Sequence, residues 1–122
     1  MLRSMMQVFA KGSVEAVQLY QKAFDARLMC EYRNDGGSYM HAELDVYGQV
    51  LAVSESSEDN TATGNTMQFG LHFGEADKEL VGRAFRAMEE GAHIVSPLGP
   101  CSFSSCMVAF IDRFGVSWCL FA

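Results

Sequence analysis

The feature that most constrains the fold is an order of secondary-structure elements that occurs twice along the 122 residues. In each half, the residue pattern predicts a strand, a helix and three further strands. Apolar side chains at every second position predict half-buried strands, and apolar side chains three and four residues apart predict helices. Because a helix must bury its apolar stripe against another element, each helix is expected to cover one face of a small sheet. The sequence therefore predicts an α+β fold of two tandem βαβββ modules within one domain, residues 1–122.

The first module is predicted to occupy residues 1–56. Its strands are expected at 6–10, 27–33, 38–46 and 49–55, and its helix at 13–24, with the Ser13 hydroxyl as the N-cap. The strand at 38–46 alternates an apolar face with a polar face: Met40, Ala42, Leu44 and Val46 against His41, Glu43 and Asp45. An imidazole and two carboxylates are thus expected on one side of this strand.

The second module is predicted at residues 66–122, after a polar linker at 57–65. Its strands are expected at 66–73, 92–96, 106–111 and 116–121, with Pro97 ending the second of these. A helix is expected to open at Glu75 and to end with Gly91 as its C-terminal cap. The last two strands flank a turn in which Asp112 is expected to bind the backbone and Gly115 to supply an unusual backbone angle.

The charge of the chain argues against several classes of partner. Its net charge is −6 and its pI is near 4.9, without a Lys/Arg cluster that could neutralise nucleic-acid phosphates or anionic lipids. No segment approaches the roughly 20 apolar residues that span a bilayer. The N-terminus lacks the pattern of a signal peptide, so a cytoplasmic location is expected.

Several catalytic motifs are also missing from the sequence. It contains neither a glycine-rich phosphate-binding pattern nor a Gly-x-Ser-x-Gly nucleophile elbow. The four cysteines form no C-x-x-C pair, so reduced and mostly buried thiols are expected: Cys30, Cys101, Cys106 and Cys119.

Three groups of residues, spread over nearly the whole chain, carry a resemblance to a known superfamily. They are residues 9–16 with 20–26, His41-Ala42-Glu43-Leu44 with Gly48 and Ser54-Glu55, and Asp112-Arg113-Phe114-Gly115-Val116-x-Trp118. Together they resemble the vicinal oxygen chelate superfamily, the glyoxalase, bleomycin-resistance and dioxygenase group, and within it the PhnB-like branch.

The resemblance implies a cupped mixed sheet with the helices on its outer face, a homodimer, and a concave small-molecule site. In metal-dependent members the metal is octahedral, with ligands from the first and last strand of each module. The corresponding positions here fall near Met5 or Gln7, near Ala52 or Ser54, at Gln68 and at Cys119. Because a glutamate is missing from the last strand, the resemblance predicts neither an intact catalytic metal site nor a bound cofactor.

The leading hypothesis is a PhnB-like protein whose cup binds a small organic molecule. The residues expected to line the cup are Gln7, His41, Glu43, Gln68, Trp118 and Cys119. Catalytic residues are not assigned. Trp118 can equally serve in the core or a dimer interface.

Two alternatives remain open at this point. One is a metal-dependent lyase, isomerase or dioxygenase in which His41, Gln68 and Glu43 supply metal ligands and His72 lies near Gln68. In such an enzyme His41 and Glu43 could instead act as a general acid/base pair. The other is that dimerisation fills the cup, and His41 only hydrogen-bonds a neighbouring strand or the partner.

Overall fold

The computed structural model describes residues 1–57 and 66–122, so all of the predicted linker except residue 57 lies outside the described residues. The chain divides into two compact units, Met1–Ala62 and Thr63–Ala122. Each unit contains one α-helix and one four-stranded mixed sheet, which confirms the predicted βαβββ order in both halves.

In the first unit the elements are β1 (Met6–Ala10), α1 (Ser13–Phe24), β2 (Arg27–Arg33), β3 (Tyr39–Val46) and β4 (Gln49–Glu55). The sheet order is β1-β4-β3-β2, with β1 and β4 parallel and the other pairs antiparallel. Helix α1 contacts β1, β3 and β4. Its buried side chains include Val17, Tyr20, Ala23 and Phe24, the helical spacing on which the prediction rested.

In the second unit the elements are β5 (Phe69–His72), a short 3₁₀ turn (Glu75–Asp77), α2 (Glu79–Met88), β6 (His93–Gly99), β7 (Met107–Ile111) and β8 (Ser117–Phe121). The sheet order is β5-β8-β7-β6, with β5 and β8 parallel. Helix α2 contacts β7 and β8. Val81, Ala84 and Met88 are buried, and the Phe85 ring lies 5.2 Å from the Phe110 ring.

Two details of the first unit correct the sequence prediction. Met40 is 58% exposed rather than part of the apolar face, because a β-bulge leaves it without a partner on β2 and places Tyr39 in the buried position. Ser13 is not the N-cap of α1; that residue is Gly12, at φ 95°. The Ser13 hydroxyl instead accepts a hydrogen bond from the Tyr39 backbone N–H at 2.8 Å.

Three details of the second unit also differ from expectation. Strand β5 is limited to Phe69–His72, the four residues that pair with Trp118–Phe121 of β8. Strand β6 continues through Pro97, which is tolerated because β6 lies at the edge of the sheet. Helix α2 ends with Glu89 as its C-cap, so Gly91, at φ 76°, belongs to the turn that follows the cap.

The turn between β7 and β8 is confirmed as predicted. Asp112 Oδ1 accepts hydrogen bonds from the backbone N–H groups of Phe114 and Val116 at 2.9 and 3.0 Å. Gly115 has φ 86°, a conformation that L side chains rarely adopt. Among the described residues, no helix has the length and apolar character needed to cross a bilayer.

Candidate ligand-binding faces

In each unit, one face of the sheet packs on the helix, and the opposite face carries Gln7, His41 and Glu43 in the first unit and Cys119 in the second. We call the face opposite α1 in the first unit face 1. Strand register places its members side by side: Gln7, Cys30, His41, Glu43, Ala52 and Ser54. Three of the six residues predicted to line a site, Gln7, His41 and Glu43, therefore lie on one sheet face.

Glu43 is the centre of a polar cluster on face 1. Its side chain accepts two hydrogen bonds from the Arg3 guanidinium, Nη1 to Oε2 at 3.1 Å and Nη2 to Oε1 at 2.5 Å. His41 Nε2 lies 3.2 Å from Glu43 Oε1. Glu43 is 8% exposed, whereas the side chains of Arg3 and His41 are 51% and 31% exposed. The cluster thus joins a buried carboxylate to two partly exposed basic side chains.

The pKa of Glu43 follows from these contacts. Hydrogen bonds from Arg3 and then His41 stabilise the carboxylate, and they lower its pKa to about 2 although burial alone would raise it. Glu43 is therefore fully ionised at neutral pH. Its pairing with Arg3 in turn raises the pKa of the guanidinium.

Gln7 is fixed beside this cluster by β4. Its Nε2 donates to Ser54 Oγ at 3.2 Å and to the carbonyl oxygen of Val8 at 3.1 Å. The Gln7 Nε2–H group is thus hydrogen-bonded within the first unit, and Gln7 is a half-buried polar residue of face 1.

In the second unit, the face opposite α2, which we call face 2, has a mixed character. Register places Gly70, Cys119, Ala109 and Ser96 in one row, and His72, Phe121, Met107 and Gly99 in the next. A Cβ added at Gly70 would meet no atom within 4 Å. Face 2 therefore has open space beside Gly70, at the β5 end of a row of small side chains.

An aromatic group borders this row. The His72 ring stacks on Phe121 with centroids 4.6 Å apart and planes 12° apart, and Phe103 meets Phe121 edge-on at 5.4 Å. Phe103 belongs to the loop between β6 and β7 and is 62% exposed.

Cys119 is half-buried on face 2. Burial, and to a lesser extent the nearby Cys101, raises the pKa of its thiol. Since the thiolate is the reactive form, Cys119 suits a lining role better than a nucleophilic one.

The remaining two predicted residues are placed differently. Gln68 is exposed and lies just before β5, outside the ladder. Trp118 lies on the opposite face from Cys119, is 0% exposed, and donates its Nε1–H to Asp112 Oδ2 at 2.9 Å. We therefore leave Trp118 out of the proposed lining.

Sequence reasoning missed Arg3 and Phe103. Arg3 lies in an N-terminal segment without periodicity, and Phe103 in an irregular loop, so neither shows a pattern from which its contacts can be read. Phe121 was recoverable, because alternation along β8 places it beside Cys119.

The residues present do not fit the catalytic metal that the superfamily implies. In the two described ranges, no group of three or more His, Cys, Asp or Glu side chains is placed to hold an ion. At the implied positions, Ala52 has no ligating atom and Gln68 is exposed and outside the ladder. Cys119 has an apolar neighbour in Ala109 and none with a side chain in Gly70.

Several solved protein structures have the same fold as this chain. The chain is 24% identical to the PhnB protein from Bacillus cereus, with a TM-score of 0.82 over 98% of both chains. It is also 24% identical to protein PA1353 from Pseudomonas aeruginosa, with a TM-score of 0.81 over 99% of this chain and 97% of that one. The fosfomycin resistance protein FosX from Listeria monocytogenes, complexed with Mn(II) and sulfate, is 16% identical, with a TM-score of 0.66 over 98% and 90% of the chains.

These similarities confirm the glyoxalase-like fold and, at the level of the fold, the resemblance to the vicinal oxygen chelate superfamily and its PhnB-like members. No protein-family model matches the chain, and no curated protein sequence matches it.

Proposed function

We propose that this chain is a small-molecule-binding protein of the glyoxalase-like fold whose ligand contacts the polar cluster on face 1. The observation that carries the proposal is the buried, ionised carboxylate of Glu43 held between Arg3 and His41. Burying a charge opposes folding unless it is well paired, and such pairs contribute little net stability. Two partly exposed bases around one buried acid are therefore better explained as a polar recognition site than as a stabilising device.

The lining that we propose on face 1 consists of Gln7, His41 and Glu43. The assignment of Gln68 and Cys119 to a lining stays a prediction for the second unit by itself. The FosX neighbours are resistance proteins against fosfomycin, and we take from them only that this fold occurs in proteins whose target is a small organic molecule.

The second candidate function is a metal-dependent lyase, isomerase or dioxygenase. Two observations favour it: His41 and Glu43 lie within hydrogen-bonding distance, and one FosX neighbour was solved with Mn(II). Against it stands the donor set, in which Arg3 already occupies both carboxylate oxygens of Glu43.

One experiment separates the two functions. The protein is purified without a His tag or chelator and its metal content is measured before and after incubation with Ni²⁺, Zn²⁺, Mn²⁺ or Fe²⁺. In parallel, thermal unfolding is followed with a panel of small organic molecules, because a ligand that binds only the native state raises Tm. The binding function predicts ligand-dependent stabilisation without stoichiometric metal.

The matched variants are Glu43→Gln and Glu15→Gln, which remove one negative charge from face 1 and from exposed helix surface respectively. Stabilisation by the ligand is expected to fall in Glu43→Gln and to persist in Glu15→Gln. One metal ion per chain, lost in His41→Ala, would overturn the binding function in favour of the enzyme.

A further inference from the structure

Glu43 holds the Arg3 guanidinium in place and occupies only some of its hydrogen-bond donors. The guanidinium carries five N–H donors in a planar fork. The bidentate pair with Glu43 uses one N–H on Nη1 and one on Nη2. The Nε–H and the second N–H on each Nη point elsewhere, and within residues 1–57 and 66–122 the side-chain hydrogen bonds of Arg3 go to Glu43. Three donors of a fixed cation are thus left over.

These donors are arranged to accept a second bidentate partner. When a carboxylate binds the Nη1/Nη2 end of a guanidinium, the Nε–H and the outer Nη–H remain parallel along one side. Their spacing matches two oxygens of a carboxylate or a phosphate. The Arg3 side chain is 51% exposed, as contact with a small molecule requires.

Glu43 and His41 make the arrangement rigid. Glu43 is buried on β3 and is ionised because its pKa is about 2, so it holds the guanidinium across the whole neutral range. His41 contacts the same Oε1 atom that receives Arg3 Nη2, which restricts the carboxylate further. A preorganised donor pair loses less conformational entropy when a ligand binds.

We propose that Arg3 binds an oxyanion group of the ligand, a carboxylate or a phosphate, through the side of the guanidinium that Glu43 leaves open. This inference rests on the proposed function and names the chemical class of its ligand. Towards this oxyanion group, Glu43 and His41 are positioning residues, since they act on it through Arg3. Because the chain carries a net charge of −6, this binding depends on local bidentate geometry rather than on long-range attraction.

The test is an NMR titration of the whole chain with acetate, inorganic phosphate and, as an uncharged control, acetamide. The Arg3 Nε–H resonance reports the contact directly. Acetate, phosphate or both are expected to shift it saturably while acetamide leaves it unchanged, and the tighter of the two identifies the oxyanion.

Arg3→Lys separates recognition from charge neutralisation. Lysine keeps a positive charge beside Glu43 but lacks the planar fork, so affinity is expected to fall about tenfold while the fold persists. Because this variant has no Nε–H, its affinity and that of the wild type are compared through the backbone N–H resonances of His41 and Glu43. The matched control is Arg83→Lys on the exposed surface of α2, which is expected to bind like the wild type.

The outcomes distinguish this inference from the function on which it rests. If molecules from the thermal panel stabilise the protein but neither anion shifts Arg3, or Arg3→Lys binds the anion unchanged, the oxyanion assignment is wrong and small-molecule binding stands. If no molecule of the panel and neither anion has an effect, both proposals fail.

Discussion

At the scale of single residues, Asp112 shows how one buried carboxylate can fix a turn and a core side chain together. It is 3% exposed and accepts hydrogen bonds from two turn amides and from the indole of Trp118. Asp112→Ala leaves these donors without that acceptor in a buried site, so we expect a loss of about 3 kcal/mol in the free energy of unfolding. Asp112→Asn keeps an oxygen acceptor for the turn but places an amide N–H against the indole N–H, so we expect a loss of about 1 kcal/mol in the free energy of unfolding. Urea denaturation measures both losses, and equal losses would contradict a separate contribution from the turn hydrogen bonds, which Asp112→Asn retains.

The free energy of unfolding is expected to depend on pH through the ionisation of Glu43. Its pKa is about 2 in the folded chain against an ordinary value of 4.5, so its contribution is fully present above the ordinary value and is lost as the pH falls from about 4.5 towards about 2. We expect the stability difference between the wild type and Glu43→Gln to be constant near neutral pH and to shrink across that window. Urea denaturation from neutral pH down to about pH 3 measures the difference, and carboxyl NMR of the folded protein gives the pKa itself. A carboxyl that titrates near 4.5 would show that Arg3 does not hold it.

At the scale of elements, the N-terminus of α1 is held by a carboxylate from β4. Glu55 Oε2 and Oε1 accept hydrogen bonds from the backbone N–H groups of Gly12 and Ser13 at 3.0 and 2.9 Å. Burial works to raise the pKa of Glu55, but these hydrogen bonds outweigh it and the net pKa is lowered. We expect Glu55→Gln to lose about 1 kcal/mol, because an amide accepts less strongly and interacts less well with the helix dipole.

The control for that prediction is Glu15→Gln, which removes an exposed carboxylate from the first turn of the same helix. Its effect in urea denaturation is expected to be only a few tenths of a kcal/mol. Equal effects of the two variants would mean that the general dipole, rather than the two hydrogen bonds, accounts for the role of Glu55.

The same helix start shows where sequence reasoning stops. The bounds of β1, α1, β2 and β4 were predicted correctly, because each depends on local periodicity and turn residues. The capping partner was not, since Glu55 is 42 residues from Ser13 and its contact exists only after the sheet has formed. The bulge at Met40 and the passage of β6 through Pro97 likewise depend on which strands pair.

At the scale of the whole molecule, the repeat of elements made the fold predictable, while the polar cluster on face 1 was predicted only in part. Alternation along β3 correctly placed His41 and Glu43 on one face. It could not identify Arg3, because the N-terminal segment reaches β3 through a side chain and not through a strand register. Trp118 was assigned to the lining by its size, whereas its hydrogen bond to Asp112 belongs to the interior.

Assembly into a homodimer remains a prediction at this scale. Edge strand β6 presents three exposed apolar side chains, Ile94, Val95 and Leu98, at 41%, 60% and 39% exposure. An apolar cluster of this kind is stabilised when another surface covers it. We expect the chain to sediment as a dimer and Val95→Lys to shift it towards monomer, because a charge would be buried at the contact. Met67→Lys, at a 74% exposed residue outside the strands, is the matched control. Sedimentation velocity over a wide concentration range measures the oligomeric state. A wild-type protein that stays monomeric throughout would contradict the homodimer. A dimer that persists in Val95→Lys would show that β6 does not form the dimer contact.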